Sequence, residues 1–444
     1  MGNDSFVKLN KMGFVTLIAV AMGLMLSSES LTLLGNNVGV AGICFLVFIP
    51  VAVLLHVVTA LSFGELMSTF PGPEGEVRFI RMALGPVFAI IFPVGGRVLF
   101  TVSASTGILA TAGYVFNETF FYWFPNLGFS FFLLGILVLI NLMEKKFSET
   151  AQIIFVSLSL LGLLILCISG LSGLENASAA SEKANPTFLH IIRAALLAPV
   201  LFLGYDLAGM TIAVRKTYPI NLVKVMVGGL LLAALVFYLW GVVSLRYVFP
   251  DKLADTTIPY TMTAKAIMGE KGRIIMGIVI LSGTCAAVNA LFMAVPRMVA
   301  GMSIQGLFPS ILGATRNRAT VPLVLLGIGT GIMMAAGMAG EPVLEVYIRA
   351  GMWLWLFNYA VIHICILIDS RRIPDEPKQI QVGGYRVFPI VAFAVLIMIL
   401  FGLLWTDDEP IILIKTILFI IAGLSLYGLL WIRFGSQISG PSKQ

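Results

Sequence analysis

Glu29 and Asp206 are the two acidic residues set deepest in the apolar runs of this 444-residue chain. A charged side chain at the centre of a bilayer costs at least about 2.5–3.5 kcal/mol on insertion scales, so each one requires a partner or a task. Glu29 stands in Leu26-Ser27-Ser28-Glu29-Ser30, and Asp206 in Phe202-Leu203-Gly204-Tyr205-Asp206, with Pro199 before it and Gly209 after it. Two desolvated carboxylates suit a positively charged ligand: one salt-bridges an ammonium group while the other binds a second ammonium or carries a proton. Arg97, after Gly95-Gly96, bears on both. It either snorkels to the interface or forms an ion pair at an inner gate, and pairing with a site carboxylate would undo the case for a cationic ligand.

Other chemistry has little footing. His56, His190 and His363 lie in separate apolar runs, so they draw neither a catalytic dyad nor a metal triad. Phosphate-binding loops, dinucleotide fingerprints and nucleophile elbows are missing from the sequence. Cys44, Cys167, Cys285 and Cys365 each sit inside an apolar run without CxxC pairing. The expectation is a protein that is not an enzyme and takes no cofactor and no metal.

The elements that must position these residues are membrane helices. The chain is 59% hydrophobic and only 11% charged, against roughly 25% charged in soluble chains. A bilayer core about 30 Å thick takes about 20 apolar residues per helix. Twelve helices are predicted, near 13–34, 38–66, 85–116, 125–143, 150–174, 188–214, 224–249, 273–304, 320–339, 343–369, 388–405 and 411–433. The net charge of +6 gathers in a few loops, which points to topology and not to nucleic acid. With the N-terminus inside, the inner loops hold Lys8, Lys11, Arg78, Arg81, Lys145, Lys146, Arg215, Lys216, Arg316, Arg318, Arg371 and Arg372, and the outer loops hold far fewer. Both termini are therefore expected in the cytoplasm, and the membrane is expected to be a bacterial cytoplasmic (inner) membrane. Serine clusters in the first helix and Pro199, Gly204 and Gly209 in the sixth mark both as broken, since such clusters free backbone groups that only protein, water or ligand can satisfy. Broken helices in matching positions of two halves point to an inverted-repeat transporter with its site at the midplane.

Several segments together resemble the amino acid, polyamine and organocation permease superfamily, which has the leucine-transporter fold. They are Phe63-Gly64-Glu65-Leu66 with Pro71-Gly72-Pro73-Glu74-Gly75, Phe202-Leu203-Gly204-Tyr205-Asp206, Val295-Pro296-Arg297-Met298 with Gly306-Leu307-Phe308-Pro309, Asn358-Tyr359, and Gly383-Gly384-Tyr385-Arg386. The resemblance implies an all-α polytopic protein with a 5+5 inverted repeat, about 13–174 and 188–369, and extra helices at about 388–433. It also implies alternating access and a substrate held between helices one and six. By family position, Phe202, Tyr205, Trp353 and Trp355 are candidates for an aromatic cage. The chain departs from the family at Ser27-Ser28-Glu29-Ser30, where relatives carry a glycine-rich segment whose bare amides receive a substrate carboxylate.

The expected substrate site is accordingly Ser27, Ser28, Glu29, Ser30, Phe202, Tyr205, Asp206, Gly209 and Trp353, with Glu29, Asp206 and Arg97 as proton-coupling or gate residues. The expected function is a secondary permease, proton-coupled or exchanging, for an amino acid or organic amine, with the two carboxylates favouring a cationic amine. One alternative is a general neutral amino-acid permease in which a protonated Glu29 donates to the substrate carboxylate. Another, of a different class, is a membrane substrate sensor without transport. The expected partners are the small-molecule substrate, a coupling proton and lipid, with a monomer or homodimer as the assembly.

Overall fold

The computed structural model describes residues 13–69, 75–173, 186–211, 219–313, 319–337, 343–406 and 409–438. Lys8, Lys11, Pro71 to Glu74, Arg215, Lys216, Arg316, Arg318 and Gly383 to Arg386 lie outside them. Regular structure among the described residues is entirely helical, as hydrocarbon requires of a chain whose backbone groups must all be satisfied internally. Ten of the helices are long and apolar enough to span a membrane, and the pair α1 (Phe14–Gly23) and α2 (Ser28–Ala41) forms one more span bent by 56°. The shorter apolar helix α7 (Asn126–Leu142) completes the expected number.

The first span continues beyond its expected end. Gly35, Asn36 and Asn37 read as punctuation, yet α2 runs through them to Ala41 and turns at Gly42, whose φ of 58° suits glycine. Gly35 stays helical because Pro259 packs on it so closely that a Cβ would lie 2.5 Å from the ring. Asn37 donates its side-chain amide to Leu33 O at 2.9 Å and so turns inward on its own helix. The second span is α3 (Ile43–Thr69).

A short helix, α4 (Glu76–Leu84), occupies what was expected to be a loop. It buries Glu76, Val77, Phe79 and Ile80 and turns Arg78 and Arg81 outward. The third span comprises α5 (Pro86–Pro93), a π-helical turn (Val94–Leu99) and α6 (Phe100–Thr119). Next come α7 and α8 (Lys145–Ser172). The sixth span breaks into α9 (Phe188–Leu197), a 3-10 turn (Ala198–Phe202) and α10 (Leu207–Thr211). Then follow α11 (Pro219–Tyr247), α12 (Pro250–Asp255), α13 (Pro259–Ile304), α14 (Thr320–Gly337), α15 (Val343–Arg372), α16 (Val387–Thr406) and α17 (Pro410–Ile438). The expected loop 250–272 is largely helical: it holds α12 and the first turns of α13, which kinks at Gly269 (φ 60°). Of the spans, α13 is the most buried and α17 the least.

Both predicted breaks are present, and they touch. Gly204 has φ +100°, and a Cβ there would lie 2.6 Å from Leu24 Cβ, so the sixth span's break packs directly on the first's. On the other side α13 presses against the same turn, where a Cβ on Gly283 would lie 2.1 Å from Leu26 O.

Candidate functional site

Ser27 leaves the helical region (φ −66°, ψ 157°) and caps α2, its Oγ accepting from Ser30 N at 3.3 Å. The Ser27 and Ser30 hydroxyls also share a hydrogen bond of 3.1 Å. Ser28 is fully buried, and its hydroxyl finds no protein partner. Glu29 alone in this segment is exposed. Its carboxylate projects toward α6, where Thr111 Oγ1 donates to Oε1 at 3.5 Å and where the missing side chain of Gly107 leaves room: a Cβ there would lie 3.6 Å from Oε1. Glu345 on α15 and Tyr260 on α13 complete its electrostatic surroundings. No basic side chain pairs with Glu29 among the described residues.

Asp206 has different surroundings. The π-helical turn, a distortion frequent at functional sites, places Arg97 at the centre of the bundle with no solvent exposure. Gly95 and Gly96 make that placement possible, because a Cβ on Gly96 would lie 2.9 Å from Leu354 O on α15. Arg97 grips Glu76 through two bonds, Nε to Oε1 and Nη2 to Oε2, each 3.0 Å. Nη2 also pairs with Asp206 Oδ2. The guanidinium lies over the Trp355 ring, 4.0 Å from its centroid, and 5.5 Å from that of Tyr359. Trp355 Nε1 donates to Tyr359 Oη at 3.0 Å, and Tyr359 donates to Asp206 Oδ1 at 2.7 Å. Planar, bidentate and weakly hydrated, arginine suits such a dry centre where lysine does not.

Of the two readings open for Arg97, snorkelling and an ion pair, the structure has the ion pair, because Glu76 and Asp206 together offset its burial. Asp206 is not a free counter-ion, because Arg97 and Tyr359 already occupy its oxygens. The carboxylates expected to act as a pair are thus divided, one open and one neutralised.

The remaining expected residues sort in the same way. Phe202 and Tyr205 are fully buried and pack against His56, with ring centroids 6.0 and 5.3 Å away. His56 Nε2 donates to Pro199 O at 2.8 Å and thereby supports the 3-10 turn at the sixth span's break. Gly209 is a packing residue, since a Cβ would lie 2.6 Å from Phe63 Cε1. Trp353 is buried in the core, and its neighbour Trp355 is the ring over Arg97. Glu76 and His56 were missed in the sequence. The available signal for Glu76 was the apolar pattern Val77, Phe79, Ile80 just after Gly75, which makes the segment a helix with one buried face. Among the described residues, no three His, Cys, Asp or Glu side chains converge as metal ligands.

The arrangement offers an exposed carboxylate, Glu29, at a helix break and, apart from it, a closed plug of charge and aromatic rings around Arg97. A family model described as "Amino acid permease" matches residues 12–434. The chain is also similar to a probable threonine/serine transporter, YbxG, of Bacillus subtilis (strain 168), with 22% identity over 389 residues that cover 81% of each chain.

Proposed function

The chain belongs to the amino acid permease family, and on that footing we propose that it is a secondary carrier whose substrate presents an ammonium group to Glu29. The observation that carries the reading is an exposed carboxylate at the break of the first span with no basic partner among the described residues. A carboxylate reachable from outside yet set within an apolar span without a cation beside it gains most from a ligand that brings the missing positive charge.

Asp206 has another part in this reading. Held by Arg97, which also holds Glu76 on α4, it belongs to a gate that keeps one end of the pathway shut while Glu29 is reachable from the other. By the distribution of Lys and Arg, the shut end is cytoplasmic, with both termini on that side of a bacterial cytoplasmic membrane. The repeats, about 13–174 and 188–369, exchange access about the touching breaks, and the helices at about 388–433 stand outside that exchange. A proton gradient or substrate exchange drives the cycle, with Glu29 as the group that trades a proton for the ammonium.

A second reading, a neutral amino-acid permease, has its own support. Ser28 Oγ is buried and unpartnered at the N-terminus of the 14-residue α2, a place suited to a carboxylate, and the relative from Bacillus subtilis is named for threonine and serine. A thermal-shift panel of amino acids and their decarboxylated amines, run on the native chain and on Glu29→Gln at two pH values, tests both, since bound ligand raises apparent stability by mass action. The ammonium reading expects Glu29→Gln to abolish the shifts of every ligand. Stabilisation of the native chain only by carboxylate-bearing ligands would favour the neutral amino-acid reading. Shifts unchanged in Glu29→Gln would remove Glu29 from the site.

A further inference from the structure

A chain of three carboxamides crosses the bundle on the side of the first half-helix. Asn141 on α7 donates to Asn289 Oδ1 on α13 at 2.7 Å. Asn289 donates to Gln152 Oε1 on α8 at 2.7 Å and to Ser148 O at 3.1 Å. Gln152 Nε2 then donates to two backbone carbonyls on different helices, Ala19 O of α1 at 3.0 Å and Ala286 O of α13 at 3.1 Å. The direction of the chain is fixed, because backbone carbonyls only accept and both hydrogens of Nε2 are therefore spent on them. Gly23 is what lets the amide reach: a Cβ there would lie 2.6 Å from Nε2, 2.7 Å from Ala286 O and 2.8 Å from Ala290 Cβ.

The tether falls on a helix that is built to pivot. The ten residues of α1 end at the turn Leu24–Ser27, held by Leu26 N to Met22 O and Ser27 N to Leu24 O, both 3.2 Å, so a swing of α1 there strains these two bonds and leaves the helical bonds of α2 intact. A buried amide hydrogen without a partner is expensive, so the bond from Gln152 to Ala19 O opposes the departure of α1, while the bonds to Ala286 O and from Asn289 keep the amide in place on the other helices. We propose that Gln152 is a positioning residue of transport: its carboxamide holds the Phe14–Gly23 half-helix against α13, and its release governs access to the pathway from that side. The inference rests on the carrier reading, and its test is arranged so that the two stand or fall separately.

The readout is a thiol placed under α1. In a chain whose four cysteines are replaced by alanine, Ala290→Cys introduces a group that is fully buried while α1 is seated. Ser130→Cys supplies an equally buried control between α6 and α7. Gln152→Met keeps the volume and removes both donors, and Gln152→Asn keeps an amide one methylene too short to reach both carbonyls. Loss of the one hydrogen bond that reaches α1 is expected to raise maleimide labelling at position 290 about tenfold, with position 130 unchanged. Should one variant fail to fold, the other decides. Labelling at 290 within about twofold of the parent, or an equal rise at 130 that signals general loosening, overturns the proposal. Uptake of radiolabelled L-threonine and L-serine into proteoliposomes is measured alongside, with Vmax expected to move more than KM in the variants. Absence of uptake by the native chain counts against the carrier reading alone, since the labelling needs no substrate.

Discussion

Replacing Arg97 with leucine should do more damage than replacing either of its carboxylate partners, and the asymmetry follows from counting charges. Arg97, Glu76 and Asp206 are all essentially without solvent exposure. Removing Arg97 leaves two buried carboxylates with Tyr359 as the one hydroxyl donor on them among the described residues. Breaking a buried pair in this way costs about 3–5 kcal/mol. Asp206→Asn instead leaves Arg97 doubly bonded to Glu76, a neutral unit, and an amide oxygen that still accepts from Tyr359. Its cost should be about 1.5–3 kcal/mol, the scale of one lost charge-assisted bond. Glu76→Gln should fall in the same range, because Arg97 keeps Asp206 and the Trp355 face. The assay is unfolding by SDS in mixed micelles, followed by tryptophan fluorescence, with Arg97→Leu/Asp206→Asn as the double variant. The double variant should be more stable than the sum of its parts, since the second change removes a charge stranded by the first. An Arg97→Leu protein as stable as Asp206→Asn, or strict additivity in the double variant, would refute the triad as the stabilising unit.

Three further outcomes follow from the same geometry. Gly96→Ala drives a methyl into Leu354 O and Trp355 N, which would lie 2.9 and 3.0 Å away, so α15 must move off the third span at about 1–3 kcal/mol; the same SDS titration reads the loss, and a shifted emission maximum should report the displaced Trp355. Ser27→Ala removes the side-chain cap of α2 and should cost about 0.5–2 kcal/mol, with Ser27→Asn restoring most of it. His56→Phe keeps the ring against Phe202 and Tyr205 but drops the bond to Pro199 O; a loss of about 0.5–1.5 kcal/mol is expected in the same titration, together with faster hydrogen exchange in 198–202.

The sequence carried the architecture because the physics of spanning a bilayer is written in composition and run length. Both breaks were legible for a related reason: Ser27-Ser28 and Pro199 with Gly204 are the kinds of residue that leave a helical ladder. What could not be read was pairing at a distance. The Glu76 carboxylate is 21 residues from Arg97 and the Asp206 carboxylate more than a hundred, and no periodicity links them; only the π-helical turn, which is itself invisible in the pattern, brings the guanidinium to both. The cation that an aromatic ring meets was illegible for the same reason. Trp353 and Trp355 are two residues apart on α15, so they point to different sides of the helix, and only the observed rotation says which one meets Arg97. The early end assigned to the first span came from treating Gly35 as a breaker, when its lack of a side chain is what admits Pro259.

The division between the two acidic residues has a consequence for specificity. Counted from sequence, Glu29 and Asp206 offer two negative charges to a ligand and argue for a substrate with two positive centres. In the folded chain Arg97 cancels one of them, and of this pair only Glu29 is left to attract a ligand. One carboxylate does not distinguish an organic amine from the ammonium end of an amino acid. The choice therefore passes to whatever meets the other end of the ligand: a buried hydroxyl and helix amides at Ser28, which favour a carboxylate, or Tyr260 and Glu345, which do not. Ser28→Ala separates these cases. If the carboxylate end is read at Ser28, threonine affinity should fall about tenfold to 150-fold for the loss of one hydrogen bond to a charged group, while the affinity of its decarboxylated analogue stays put. Equal losses for both ligands would mean that Ser28 supports the break and does not read the substrate.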